Sequence, residues 1–91
     1  DLKLAKSYVK KGDWDAAINI WKDLVDSPDE KIARRSAYNM AVASEIKGSW
    51  EAALDWAKKA QKLGEKKAHN YINILHSRKM DEEKLKQQLN N

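Results

Sequence analysis

Eight consecutive residues of this chain occur twice, and the two copies lie 36 positions apart. Lys11-Gly12-Asp13-Trp14-Asp15-Ala16-Ala17-Ile18 returns as Lys47-Gly48-Ser49-Trp50-Glu51-Ala52-Ala53-Leu54, matching in identity or kind throughout. The correspondence extends upstream, where Leu4-Ala5 answers to Met40-Ala41, and downstream, where Ile20-Trp21 answers to Trp56-Ala57. Self-similarity at such a period marks a repeat architecture, in which each unit buries its apolar face against the next.

Each unit reads as two helices around a tight turn. Gly12 and Gly48 supply the left-handed backbone that ends a helix without steric cost. Asp13 and Ser49 follow as N-caps of the next helix. Apolar residues then recur at helical spacing: Trp14, Ala17, Ile18, Trp21 and Leu24 in one unit, Trp50, Ala53, Leu54, Ala57 and Ala60 in the other. Between the units, Ser27-Pro28-Asp29-Glu30 predicts a capping box with proline at the first helical position. The pattern predicts helices near 2–11, 13–26, 28–47 and 49–63, then two less regular ones at 66–79 and 81–89, with no competing strand signal.

This helix–turn–helix pattern resembles the tetratricopeptide repeat (TPR). The residues that carry the resemblance are Ala5, Tyr8, Gly12, Trp14, Ala17, Trp21, Leu24 and Pro28, then Met40, Ala41, Gly48, Trp50, Ala53 and Ala60. Ala5 against Ala17, and Ala41 against Ala53, would let paired helices approach to roughly 8–10 Å. The departures are a period of 36, Ser44 at a position where an aromatic is expected, and a third unit without a glycine turn or alanine pair. The resemblance implies an all-α, right-handed stack of antiparallel helix pairs over 1–91: two good repeats plus a degenerate third pair. The stretch from Leu4 to Leu89, with Trp21, Lys31-Ile32-Ala33, Tyr38-Asn39-Met40-Ala41 and Trp56-Ala57, also resembles the C-terminal repeat region of an uncharacterised family of bacterial envelope lipoproteins. That likeness implies a cell-envelope location and a lipid anchor elsewhere in a longer protein. A chain opening at Asp1 without Met is expected to be a processed form or a piece cut from something longer.

Composition excludes more than it assigns. Without cysteine, the 91 residues can form no disulfide, thiolate metal site or cysteine nucleophile. No apolar run approaches the roughly 20 residues of a membrane span, so this piece itself is not expected to contact a bilayer. His69 and His76 lie seven apart on one helix face without a metal-ligand motif around them, and are expected to face solvent. No serine sits in a nucleophile elbow, and the three glycines read as turns or stops and not as a phosphate cradle. Neither catalysis nor a cofactor is expected.

The formal net charge is +4, and all of the excess lies in residues 46–91. Lys58, Lys59 and Lys62 fit the last turns of a helix, where cations complement the macrodipole. With three arginines in the chain and no basic arm, nucleic-acid binding is not expected.

Trp14 and Trp50 hold the repeat position where a bulky ring packs between helices, and both are expected in the core. Trp56, one position off that stripe, fits either a packing role or a surface patch. The TPR resemblance implies a binding groove lined by the first helices of successive repeats. Its candidate residues are Lys6, Val9, Arg35, Tyr38, Val42 and Glu45, with Leu2 and Asn73 at its margins. Asn39 matches an asparagine that hydrogen-bonds peptide backbone in chaperone-binding members, but Leu2 and Lys6 replace the Lys and Asn that complete their carboxylate clamp. The expected function is a non-catalytic protein-interaction module holding a peptide or partner helix. The alternative is a structural domain that packs on its own polypeptide or self-associates.

Overall fold

The computed structural model describes residues 1–90, which form five α-helices and, among the described residues, no strand. These are α1 (Leu2–Lys10), α2 (Trp14–Leu24), α3 (Glu30–Ile46), α4 (Trp50–Lys62) and α5 (Lys67–Leu89). The packed pairs are α1 on α2, α2 on α3, α3 on α4 and α4 on α5, the interface of α3 with α4 being the most extensive. Connections of three to five residues between packed neighbours make those neighbours antiparallel. The result is a one-dimensional array with extents of 50 × 29 × 15 Å. Its radius of gyration of 14.4 Å exceeds the roughly 12 Å of a compact globule this long.

The sequence repeat is a repeat of hydrogen bonds. Gly12 N–H donates to Val9 O and Asp13 N–H to Tyr8 O, each at 2.9 Å. Thirty-six positions on, Gly48 N–H donates to Glu45 O and Ser49 N–H to Ser44 O, again at 2.9 Å. Both are Schellman closures, which need a left-handed residue at the turn. The glycines provide it, with φ of +80° and +90°. Asp13 and Ser49 then accept from Ala16 N–H and Ala52 N–H at 3.1 and 3.3 Å, so each residue finishes one helix and starts the next.

Ten of the fifteen buried apolar residues are alanines, among them Ala5, Ala17, Ala41 and Ala53. Small side chains bring helix axes close, and most of the large rings lie half-buried at the margins of the interfaces, while Trp21 and Tyr71 are buried. Trp14 and Trp50 are such residues: each packs against a core cluster without being enclosed by it. Trp56 packs against both clusters, with the Lys59 amine 5.3 Å from its ring centroid.

Two expectations are corrected. The degenerate third helix pair does not exist, because 66–79 and 81–89 belong to one 23-residue helix, α5. Nothing between Lys79 and Glu82 breaks a helix, and the pairs Lys79–Glu83 and Lys86–Glu82 bridge successive turns there. The second correction concerns α3, which starts at Glu30 and not at Pro28. Asp29 is its cap, accepting from Lys31 N–H and Ile32 N–H at 3.0 and 3.2 Å. Ser27 Oγ instead accepts from Asp29 N–H at 3.1 Å, forming a turn ahead of the helix.

Candidate functional site

A groove of about 740 Å³ lies between α1, α3 and the α4–α5 connection. Its position follows from the alanine-rich packing, which leaves large side chains with one face uncovered. The apolar lining is Leu2, Val9, Trp14, Trp21, Tyr38 and Val42. Trp21 is the most enclosed, 5% exposed, and its ring lies 6.3 Å from that of Trp14 at an interplanar angle of 56°. The Trp21 Nε1–H is buried without an acceptor among the described residues.

The polar lining is mostly cationic: Lys6 from α1, Arg34 and Arg35 from α3, and Lys66 and Lys67 at the start of α5. Glu65 is the single carboxylate, 3.6 Å from Arg34 Nε. Asn39 adds a half-buried amide. Tyr38 stands between groove and core, its ring tilted on that of Tyr71 with centroids 5.6 Å apart. Burial, and after it the Glu65 carboxylate, push the Tyr38 hydroxyl above its ordinary pKa.

Of the seven residues expected to line a groove, Lys6, Val9, Arg35, Tyr38, Asn39 and Val42 surround this one, and so does Leu2. Glu45 does not. Its Oε1 accepts from the Tyr71 hydroxyl at 2.8 Å and from Arg78, so α5 draws it to the far end of the stack. Asn73 is exposed on α5 and is not part of the groove lining.

The sequence reading missed Arg34, Glu65, Lys66 and Lys67, along with the groove faces of Trp14 and Trp21. The signal for the lysines was visible as a basic run, but only the tight turn at Gly64, with φ of +95°, separates Lys66 and Lys67 from Lys58, Lys59 and Lys62. The turn sends the first two toward α1 and α3 while the others remain along exposed α4 positions.

His69 and His76 are both exposed, and the His76 ring meets Trp50 edge-on at 5.5 Å. Among the described residues no three His, Cys, Asp or Glu side chains are grouped to hold a metal ion. No helix among them is long and apolar enough to cross a membrane.

The molecule is therefore an all-helical array with one basic, apolar-floored groove. The family model described as Domain of unknown function (DUF6340) matches residues 3–88, and the chain belongs to that family. No curated protein and no solved structure matches it.

Proposed function

We propose that this chain is a non-catalytic protein-interaction module, a TPR-like right-handed stack that holds a peptide or a partner helix in the groove. One observation carries the reading: a concavity of about 740 Å³ leaves Val9, Trp14, Tyr38 and Val42 incompletely covered. Apolar side chains clustered in a concave surface and rimmed by charge are the usual makings of a recognition site. The matching Schellman turns and alanine pairs of the two units support the TPR-like stack.

Selection of a displayed random dodecapeptide library against the 91-residue chain tests the reading. Enriched peptides should lose binding on Val9→Asp, which replaces an apolar contact of the groove floor with a carboxylate. Retention of the same peptides by Val9→Asp, with its helicity checked by circular dichroism, refutes a groove site.

A second reading rests on the distal half of α5, where Met80, Leu85 and Leu89 are 60%, 60% and 86% exposed. In that reading the domain is structural, and those residues pack on the rest of its polypeptide or on a second copy. Sedimentation equilibrium of the wild type and of Leu85→Asp tests its second-copy form, which requires the wild type to associate and the variant to stay monomeric.

A further inference from the structure

Charge is distributed unevenly over this molecule, and the unevenness concentrates at the groove. Five cationic side chains and one carboxylate line it, a surplus of four that equals the +4 of the entire chain. The other thirteen bases and thirteen acids of the chain cancel in number. Glu65 offsets part of Arg34, but Lys6, Arg35, Lys66 and Lys67 have no ion-pair partner among the described residues.

Two of these cations sit where helix stability argues against them. The first four helices begin on oxygen acceptors, Asp1, Asp13, Asp29 and Ser49, each receiving backbone N–H groups. At the start of α5 stand Lys66 and Lys67, with no side-chain cap. Positive charge at the positive end of a helix dipole is unfavourable, so the potential of the helix end adds to that of the lysines. A local rule broken at the rim of this groove is what a recognition site looks like when stability is exchanged for binding.

From this distribution we infer that the groove's occupant is an acidic peptide segment of another protein, carrying at least one bulky apolar side chain. The inference rests on the groove reading above and specifies its partner. The carboxylates lie along Lys6, Arg35, Lys66 and Lys67, and the apolar side chain covers Val9, Tyr38 and Val42.

Other occupants fit less well. The chain's own acidic run, Asp81-Glu82-Glu83, is largely neutralised within α5, since Lys86 pairs with Glu82 and Lys79 with Glu83. A single-stranded nucleic acid would need free aromatic faces. Here Trp21 is enclosed, Trp14 is tilted against it, and the Tyr38 ring is packed on Tyr71, so each groove ring offers at most part of a face.

The composition of the peptides enriched in the dodecapeptide selection tests the inference, followed by fluorescence anisotropy at low and high salt. Enriched peptides are expected to be net acidic with Trp, Phe, Leu or Met among their residues. Arg35→Glu and Lys67→Glu are each expected to weaken them by about tenfold or more, and added salt to do likewise. Lys58→Glu/Lys62→Glu, outside the groove, should change affinity by less than about twofold. Neutral or basic peptides that still lose binding on Val9→Asp overturn the acidic partner while leaving the groove site standing. Peptides indifferent to Val9→Asp, Arg35→Glu and Lys67→Glu alike overturn both. Enrichment of peptides resembling 80–89, with concentration-dependent dimerisation, assigns the groove to a second copy and overturns the inference. So does tighter binding of an oligo(dT) probe than of any selected peptide.

Discussion

The Tyr71 hydroxyl donates to Glu45 Oε1 at 2.8 Å, tying α5 to α3 across 26 positions of sequence. Tyr71 is buried and Glu45 half-buried, so each satisfies the other where water has little access. Burial, and after it the hydrogen bond to Glu45, raise the Tyr71 pKa well above the ordinary 10.0, with Arg78 opposing. In the unfolded chain the phenol ionises near its ordinary value, while in the folded chain it keeps its proton. The resulting stabilisation is complete below pH 10 and is lost as pH rises toward the folded pKa. Denaturant titrations above pH 10 should therefore show falling stability, with a shallower fall in Tyr71→Phe. At neutral pH the same variant should lose about 1–2 kcal/mol with the bond to the carboxylate. An unchanged alkaline slope would assign the loss to other groups.

A second expectation isolates backbone strain. A Cβ built on Gly48 meets nothing within 4 Å, so a substituent there costs no packing. What remains is the backbone, held at φ +90° by the Schellman closure. Gly48→Val should destabilise by about 1–2 kcal/mol, and Gly48→Asn by clearly less, because asparagine tolerates the left-handed region. Equal costs in urea melts would mean that the turn relaxes to another conformation.

Close approach of helices makes a third. Ala53 is fully enclosed in the cluster that holds Ala41, whereas Ala52, one position round α4, is half-buried. Ala53→Leu should overpack the α3–α4 interface and cost roughly 1–3 kcal/mol. Ala52→Leu should cost well under half as much. Ala17→Leu and Ala16→Leu should behave as the same pair in the first unit, with thermal unfolding as the measurement.

These expectations are legible in the sequence because they depend on local rules that repeat. Gly12 and Gly48, Asp13 and Ser49, and the alanines after Trp14 and Trp50 each do one job, and the 36-residue offset states it twice. Helix α3 was misjudged by two residues because Ser27 and Asp29 are both competent caps, and only the geometry of Pro28 decides between them. The continuity of α5 is not legible because its buried stripe ends at Leu75, leaving no periodicity to join 66–79 to 81–89. Around the groove, Lys6, Val9, Arg35, Tyr38 and Val42 come from the repeated first helices. Glu65, Lys66 and Lys67 belong to a connection whose direction depends on where α4 ends, which no periodicity specifies. Glu45 is held outside the groove lining by a partner 26 residues away.

The last prediction concerns that distal half. Ala68, Tyr71 and Leu75 anchor the first part of α5 in the core, but from Met80 to Asn90 every residue is exposed. What supports the later turns is the pair of ion bridges, Lys79–Glu83 at 3.5 Å and Lys86–Glu82 at 3.1 Å. The bond from Lys86 is the main cause that lowers the Glu82 pKa, so its support is present above the ordinary value of 4.5 and lost as pH falls below it. Exposed pairs of this kind are also screened by salt. Amide exchange should then be fast in 81–89 and slow in 71–77, since the helix opens from an end that no tertiary contact holds. Cα chemical shifts of 81–89 should move toward coil values at high salt and at acid pH, while those of 71–77 stay helical. Ending the chain after Met80 should change the melting temperature by no more than about 2 °C. Strong protection of the 81–89 amides in the monomer would mean that an unrecognised contact covers Leu85 and Leu89, and the two halves of α5 would have to be treated as one cooperative unit.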